Sequence, residues 1–254
     1  TKPVRIVVGF PPVGISDNLA RALAGALDRQ LGQPFVVDNK PGAGTTIAAA
    51  VVAKAPPDGY TLFMQDLTSH AINASLYRNL SYDSVKDFTP ITLVAATPLV
   101  LVVTPQSGIT SVQDLIARAK SAPGVLNYGS SGIGSILHLA GEPFKHRPGK
   151  LDIAHIPYKS GTLVAQAMLA GDLAVSFATL PTAVPLVKSG RLKALAVTSP
   201  TRMPTLPEVP TMAEVGMKDF EIQLYSGLLG PPGMSPQLQA QLRSEIIKAL
   251  QSPE

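Results

Sequence analysis

The sequence predicts a mixed α/β protein of two lobes, each with a mainly parallel sheet, joined by extended segments that cross between them. The chain has 254 residues, 45% hydrophobic and 15% charged, which is enough apolar material for one large or two ordinary cores. Short apolar runs alternate with helical patterns, as in sheets covered by helices on both faces. A long stretch without a helical pattern, Leu93–Val103, interrupts the alternation and indicates the passage between lobes.

The first strand and helix are the clearest elements. Val4–Phe10 is an apolar, β-branched run that ends at two prolines and predicts a buried strand. Ser16 is the expected N-cap of the helix that follows, with Asp17 in its first turn. Leucines then recur every four residues as far as Leu31, and Gly32 supplies the stop.

The rest of the first lobe continues the same alternation. Phe35–Val37 predicts a strand, Thr46–Ala55 a helix and Tyr60–Met64 a third strand. The stretch Asp58–Asp87, which contains that strand, is interpreted as a surface excursion. Leu93–Val103 predicts two strands that meet near Pro98, because proline cannot donate to a β-ladder.

The second half of the chain restarts the alternation. Helices are predicted at 112–119, 135–145, 163–170, 181–189 and 236–250, and strands at 126–128, 153–157, 173–177, 192–198 and 220–228. Four prolines make Pro200–Pro210 an extended connection. The predicted first lobe therefore takes residues 1–98 with 222–254, the second takes 99–221, and the ligand cleft is expected between them.

Composition argues against several classes of protein. The chain has no cysteine, so a disulfide framework, a thiolate nucleophile and a lipidated N-terminal cysteine are excluded. No apolar run approaches the roughly 20 residues that span a bilayer, so we expect no direct membrane insertion. The net charge of +4 is scattered and aromatic residues are few, which disfavours nucleic acid and suits small anions. Val4 already lies in a strand, so no signal peptide is expected in this chain.

No catalytic motif is complete. Phosphate-loop and zinc-protease motifs are missing, and Gly129-Ser-Ser-Gly132 departs from a nucleophile elbow at Ile133. His138 and Glu142 share a helix face, but without a third ligand they are expected to be an ordinary polar pair. We therefore expect neither catalytic residues nor a cofactor or metal. A small hydrolase that uses Ser131 or His138 stays open as an unfavoured alternative.

Small polar loops lie just after predicted strands and at predicted helix starts. In open α/β sheets ligands bind at the carboxyl ends of strands, and the unpaired N–H groups of a helix start favour anions there. Glycine permits close backbone approach, and hydroxyl groups add hydrogen bonds. The loops predict an anion site without arginine, and they are Pro12–Ser16, Gly42–Thr46, Asp66–Ser69, Ser130–Ser135 and Ser160–Thr162.

The chain also resembles a known family, the substrate-binding proteins of tripartite tricarboxylate transporters, or Bug receptors. The matching stretches follow one another along nearly the whole chain, so the resemblance is specific. They include Phe10-Pro-Pro to Asp17, Val37-Asp-Asn-Lys-Pro-Gly-Ala-Gly44, Ala55-Pro-Pro-Asp-Gly-Tyr-Thr-Leu62, Asn127-Tyr-Gly-Ser-Ser-Gly132, Ile156-Pro-Tyr-Lys159, Gly190-Arg-Leu-Lys-Ala-Leu-Ala-Val197 and Leu206-Pro-Glu-Val-Pro-Thr211.

The resemblance implies a type II periplasmic-binding-protein fold and a periplasmic location. It also implies a monomer that closes on a small carboxylate and delivers it to a two-component membrane permease. A receptor that presents its ligand to a signalling partner is the alternative on the same fold. The implied ligand-binding residues are Pro12, Val13, Gly14, Asp17, Thr45, Thr68, Ser69, Ser130, Ser131, Gly132, Gly134, Ser135, Tyr158, Ser160, Ala178, Thr179 and Tyr225.

Four of these positions depart from the pattern usual in that family. Val13 and Thr45 stand where glycine is usual, Ala178 where many members have aspartate, and Tyr225 near a frequent tryptophan. Val13 is expected to narrow the pocket or restrict its loop, and Thr45 to add a hydroxyl. The missing aspartate disfavours an amino-acid ligand, which leaves dicarboxylates, tricarboxylates and aromatic acids. Family chains usually continue beyond the position of Glu254 with another strand and helix.

Overall fold

The computed structural model describes residues 2–252, which divide into two compact units. Unit one comprises the described residues within Thr1–Ala96 and Tyr225–Glu254, and unit two comprises Thr97–Leu224. The predicted lobe boundaries lie after residues 98 and 221, and the division into two lobes around a ligand cleft stays a prediction. Residues 1, 253 and 254, which the predicted first lobe includes, lie outside the described range. Within that range no helix combines the length and the apolar character needed to cross a bilayer.

The helices and strands follow in chain order. The strands are β1 (Val4–Val8), β2 (Phe35–Asn39), β3 (Thr61–Asp66), β4 (Thr89–Val103), β5 (Asn127–Ser130), β6 (Ala154–Pro157), β7 (Val175–Thr179), β8 (Lys193–Val197) and β9 (Gln223–Gly230). The α-helices are α1 (Ile15–Leu31), α2 (Thr46–Ala53), α3 (Leu67–Leu76), α4 (Val112–Ser121), α5 (Ile136–His146), α6 (Gly161–Ala170), α7 (Leu180–Lys188) and α8 (Pro236–Gln251).

The sheet of unit one is buried on both faces. Its strands run in the order β2-β1-β3-β9, with β1 parallel to β2 and β3, and β9 antiparallel to β3. Successive side chains of a strand point to opposite faces. Ile6 of β1 accordingly packs in one apolar cluster with Leu23 of α1, while Val7 packs in another with Ala48 of α2. This two-sided burial explains why β1 is an unbroken apolar run.

Unit two has a sheet in which β5 pairs in parallel with β6 and β7, whereas β4 pairs antiparallel with β7 and β8. Val100 and Val102 of β4 lie in a cluster with Val164 and Met168 of α6. The carboxyl ends of β5, β6 and β7 therefore meet at one edge of this sheet. That edge carries the loops that the sequence predicts to bind ligand.

Helix α1 begins earlier than predicted. Its N-cap is Gly14, and the Gly14 carbonyl accepts the Asn18 N–H at 2.9 Å to close the first turn. Ser16 lies inside the helix and is buried, so its prediction as the N-cap is wrong. The polar group that holds this turn is Asp17, whose carboxylate accepts the Val13 N–H at 3.0 Å.

The interpretation of Asp58–Asp87 as a surface excursion is also wrong. Every residue of β3 is buried, because the strand lies between β1 and β9. It leads directly into α3, which the sequence analysis did not predict. Tyr82 and Phe88 pack beside Phe63 in the core, where the Tyr82 and Phe88 rings meet edge to face at 5.5 Å.

A single strand, β4, replaces the two strands predicted to meet near Pro98. Its pairings with β7 and β8 begin at Leu99 and Val100, one or two residues beyond the proline. The Leu99 N–H donates instead to the Thr198 hydroxyl at 2.8 Å. Because Pro98 precedes these ladder positions, its missing N–H does not interrupt the strand.

Candidate functional site

The predicted loops of unit one gather at one edge of its sheet. β1 and β3 are parallel neighbours, so the loop at residues 10–14 and the start of α3 follow adjacent strand ends. β9 runs antiparallel, and its Ser226 is paired with Asp66 at the end of β3. Tyr225, whose side chain is half exposed, thereby joins the same edge.

Asp17 organises the first of these loops rather than facing solvent. It is 1% exposed, and its carboxylate accepts from the Val13 N–H, the Arg21 guanidinium at 2.9 Å and the Asn39 amide at 2.9 Å. Burial opposes ionisation, but these three donors outweigh it and lower the pKa of Asp17. The Asn39 amide also donates to the Phe10 carbonyl at 3.0 Å. Asp17 thus fixes the loop, while Pro12 and Val13 at its tip are exposed.

Thr45 lies beneath this loop and has an internal partner. Its side chain is buried, and its hydroxyl accepts from the Gln65 amide at 2.7 Å. A Cβ on Gly9 would approach the Thr45 side chain to 2.6 Å, so the two segments pack tightly. The Thr45 hydroxyl, which was expected to add a group to the ligand site, therefore stabilises the interior of unit one in this structure.

Asp66 caps α3 at the end of β3. Its carboxylate accepts from the Thr68 and Ser69 N–H groups at 2.9 and 3.2 Å and from the Ser69 hydroxyl at 2.7 Å. Burial raises the pKa of Asp66, although these hydrogen bonds oppose the rise. Thr68 is half buried and Ser69 is buried. The helix start is therefore already occupied by a carboxylate from the chain itself.

In unit two, Ser130 and Ser135 hold the ends of the loop between β5 and α5. Ser130 is fully buried, and its hydroxyl contacts the Gly132 N–H at 3.1 Å and the His155 Nε2 atom at 2.6 Å. Ser135 is the N-cap of α5 and accepts the His138 N–H. Between them, Ser131 and Gly132 are partly exposed and Gly134 is buried. The Ser130 and Ser135 hydroxyls both shape the loop, and direct ligand contact by either one stays a prediction.

Two of the remaining predicted residues of unit two, Ala178 and Thr179, line a small apolar cavity. Gly161 at the start of α6 lines it together with Ala178 and Thr179 at the end of β7 and Leu137 of α5. Ser160 caps α6 by accepting the Leu163 N–H at 3.3 Å. Tyr158 lies next to the same edge, because its N–H donates to the Ser130 carbonyl at 2.8 Å. These residues are thus brought together within one unit.

Sequence reasoning missed His155, which stands in β6 and touches Ser130. A single histidine in a strand carries no specific signal. Only the pairing of β6 with β5, which sets His155 opposite Tyr128, brings its ring within reach of Ser130. The predicted polar pair is found at 3.9 Å between His138 Nε2 and Glu142 Oε1, where Glu142 also accepts from Tyr128 at 2.7 Å and Lys145 at 2.9 Å. No group of three metal-binding side chains occurs among residues 2–252.

Comparison with known proteins shows which family this chain is similar to. Residues 19–254 match the family described as the tripartite tricarboxylate transporter family receptor. The chain is 37% identical over 252 residues to Protein BugT of Bordetella pertussis, covering 99% of this chain and 77% of that one.

Two solved structures of similar proteins contain small acids. One, from R. palustris with adipate, has a TM-score of 0.92 and 37% identity, covering 97% of this chain and 82% of that one. The other, MatC from Rhodopseudomonas palustris with bound malate, has a TM-score of 0.91 and 30% identity, covering 98% and 85%. These likenesses confirm the predicted binding-protein fold class. The chain belongs to the tripartite tricarboxylate transporter family of receptors, as its ordered motifs predicted.

Proposed function

We propose that this protein is a periplasmic receptor that captures a small carboxylate and delivers it to a two-component membrane permease. The ligand is a dicarboxylate, a tricarboxylate or an aromatic acid, held without chemical change by a monomeric protein. The observation that carries the proposal is the repeated placement of helix starts at strand ends. In unit two, α5, α6 and α7 are the next elements along the chain after β5, β6 and β7.

A helix start is suited to an anion because its first N–H groups lack intrahelical partners and its dipole is positive there. Hydroxyl groups at Ser131, Ser160 and Thr179 lie at the same edge and can add hydrogen bonds. The proteins solved with adipate and malate share the fold at 30% identity or more. Their ligands support a carboxylate as the anion.

The side chains around this edge favour an acid without an amino group. The predicted site residues of unit two include no aspartate or glutamate, and position 178 is an alanine beside an apolar cavity. An ammonium group brought there would lose its water without gaining an ionic partner, which is costly. An aliphatic or aromatic carbon chain would instead gain from burial.

The geometry also favours binding over turnover. Ser130 and His155 have the contact expected of a nucleophile and its base, at 2.6 Å. Ser130, however, is fully buried. A substrate carbonyl therefore cannot reach its hydroxyl without the loop opening. The contact is better explained as part of the loop's support.

Thermal unfolding against a panel of acids tests the proposal. Adipate, malate, citrate, benzoate and glutamate would each be added to protein freed of bound ligand by unfolding and refolding. An acid at a hundred times its dissociation constant stabilises the native state by about 2.7 kcal/mol, which raises the unfolding midpoint by several degrees. We expect a shift with one of the first four acids and none with glutamate, and adipamide serves as the uncharged control.

Three results would contradict the proposal. If adipamide matched adipate, the charge would not be recognised and the helix starts would not be the anion site. If no acid raised the midpoint of correctly refolded protein, the carboxylate class would be wrong. Capture of a signalling protein rather than the permease by the loaded receptor would replace transport with sensing.

A further inference from the structure

Two histidines contact opposite ends of the loop at residues 131–134, between β5 and α5. At the first end, His155 Nε2 lies 2.6 Å from the Ser130 hydroxyl, which also accepts the Gly132 N–H at 3.1 Å. At the other end, the Gly134 N–H donates to His138 Nδ1 at 3.2 Å. The loop that leads into α5 is therefore bounded by two imidazole contacts.

The Gly134 contact requires a neutral ring. An N–H group can donate only to an imidazole nitrogen with a free lone pair, so His138 Nδ1 carries no proton in this arrangement. The proton of the neutral ring is then on Nε2, which lies 3.9 Å from Glu142 Oε1. Protonation of His138 would place a second donor against the Gly134 N–H and break the bond.

The surroundings keep both rings uncharged. The His138 and His155 rings are 4.3 Å apart, so two charges would repel each other. Burial lowers the pKa of His138, and it lowers that of His155 to about 4. Glu142 favours protonation of both, Lys145 opposes it, and the Tyr128 ring stacks on His155 at 4.9 Å.

The loop needs external support because of its own backbone. Gly132 and Gly134 both have positive φ, at +122° and +79°. Glycine reaches such angles easily and leaves them as easily, so it does not fix a loop by itself. Hydrogen bonds from rigid elements, here the Ser130 end of β5 and the first turn of α5, supply the missing constraint.

We propose that His138 and His155 are positioning residues, which fix the two ends of the loop at residues 131–134 so that unit two can bind its carboxylate. This inference rests on the proposed function for the identity of the bound group. The positioning itself is a property of the ligand-free protein. It can therefore be tested without any ligand.

Amide hydrogen exchange in the ligand-free protein is the first test. In H138L we expect the Gly134 amide to exchange at least tenfold faster, while the Leu139 amide of α5 is unchanged. Asparagine places an oxygen near the position of Nδ1, so H138N should keep Gly134 protected. At the other end, H155L should release the Gly132 amide, while H155Q, which keeps a nitrogen near Nε2, should not.

The exposed His146 of the same helix, which also lies 3.9 Å from Glu142, provides the control variant H146Q. Equal protection of Gly134 in H138L and wild type would overturn the proposal. Imidazole ¹⁵N shifts of the wild-type protein give a check that needs no folded variant. A proton on His138 Nδ1 at pH 7 would equally overturn it.

Calorimetry with adipate and malate then connects positioning to binding. We expect H138L and H155L to bind the effective acid at least tenfold more weakly, with H138N, H155Q and H146Q near wild type. Wild-type affinity for the acid should fall when the pH is low enough to protonate His138, because protonation breaks the Gly134 contact. If the leucine variants release the amides but bind normally, the loop does not serve the ligand. If neither acid binds wild type, the proposed function is challenged while the exchange result still decides the positioning.

Discussion

Val13 is the clearest sign of strain in the loop at residues 10–14. Its φ is +70°, although a β-branched side chain disfavours left-handed backbone. The Val13 N–H is held by Asp17, and the side chain is 69% exposed. Such conformations cost about 1–3 kcal/mol and persist where the surroundings over-determine them. An exposed valine at the tip of a predicted ligand loop is thus a candidate for selecting apolar ligand chains.

Replacing Val13 by glycine tests that strain. We expect V13G to raise the free energy of unfolding by up to about 1 kcal/mol, because relief of a left-handed cost of about 1–2 kcal/mol exceeds glycine's entropic cost of about 0.5–1 kcal/mol. Urea unfolding measures the change. Val85, which is 82% exposed and has no positive φ, gives the control V85G, which should be destabilised. A loss of stability in V13G equal to that of V85G would contradict the interpretation.

Thr45 shows what the sequence could and could not tell about single residues. Its departure from a usual glycine was evident from the motif, and its φ of +76° agrees with a position where glycine is usual. The expected gain of a hydroxyl for the site depended on side-chain direction. That direction is fixed by Gln65, which lies on β3 and is remote in sequence. Asp17 was likewise found from its motif. Its role in holding the loop depends on its hydrogen bond with Asn39 of β2, which the sequence does not reveal.

At the scale of elements, the start of α5 combines stability with the predicted anion site. Ser135 caps the helix and is almost fully buried. Removing an N-cap side chain typically costs about 1 kcal/mol, whereas aspartate caps as well as serine. A carboxylate placed there would, however, occupy the helix start and repel an acidic ligand.

We therefore expect S135A and S135D to separate stability from binding. S135A should lose about 1 kcal/mol of unfolding free energy in urea, and S135D should keep it. In calorimetry with adipate and malate, S135D should bind at least tenfold more weakly than S135A. Ser121 at the end of α4 supplies the control S121A, which is expected to change neither quantity. Undiminished binding by S135D would show that the ligand does not meet this helix start.

The strand pattern was predicted where periodicity and burial agree. β1 and α1 follow from apolar runs and leucine spacing, because β1 is packed on its neighbours throughout and α1 as far as Leu27. The β4 prediction failed at Pro98, since sequence alone does not reveal which residues of a strand lack ladder partners. α3 was missed because its few apolar residues are mixed with polar ones, among them the buried His70 and Asn73.

At the scale of the whole molecule, one buried histidine, His70, and two half-buried ones, His138 and His155, link folding to pH. Burial lowers the pKa values of His70, His138 and His155 below their ordinary value of 6.5, in the last case to about 4. At these three histidines the unfolded chain then binds more protons than the native protein between those values, so they lower native stability as the pH drops below 6.5. Carboxylates with lowered pKa values, such as Asp17 and Glu142, also reduce native stability on acidification, but only below about pH 4.5.

The urea midpoint of wild-type protein should accordingly be steady above pH 7 and decline between pH 6.5 and about 4. In the double variant H138N/H155Q the decline should be shallower, because two of these three histidines are gone. H146Q, which removes an exposed histidine, should follow wild type. The urea midpoints of wild type, the double variant and H146Q, measured at intervals of half a pH unit, give the three slopes to be compared. Identical slopes in wild type and the double variant would mean that His138 and His155 of unit two accept protons in the native fold. His138 would then become charged within the same pH range, and its contact with the Gly134 N–H would be lost.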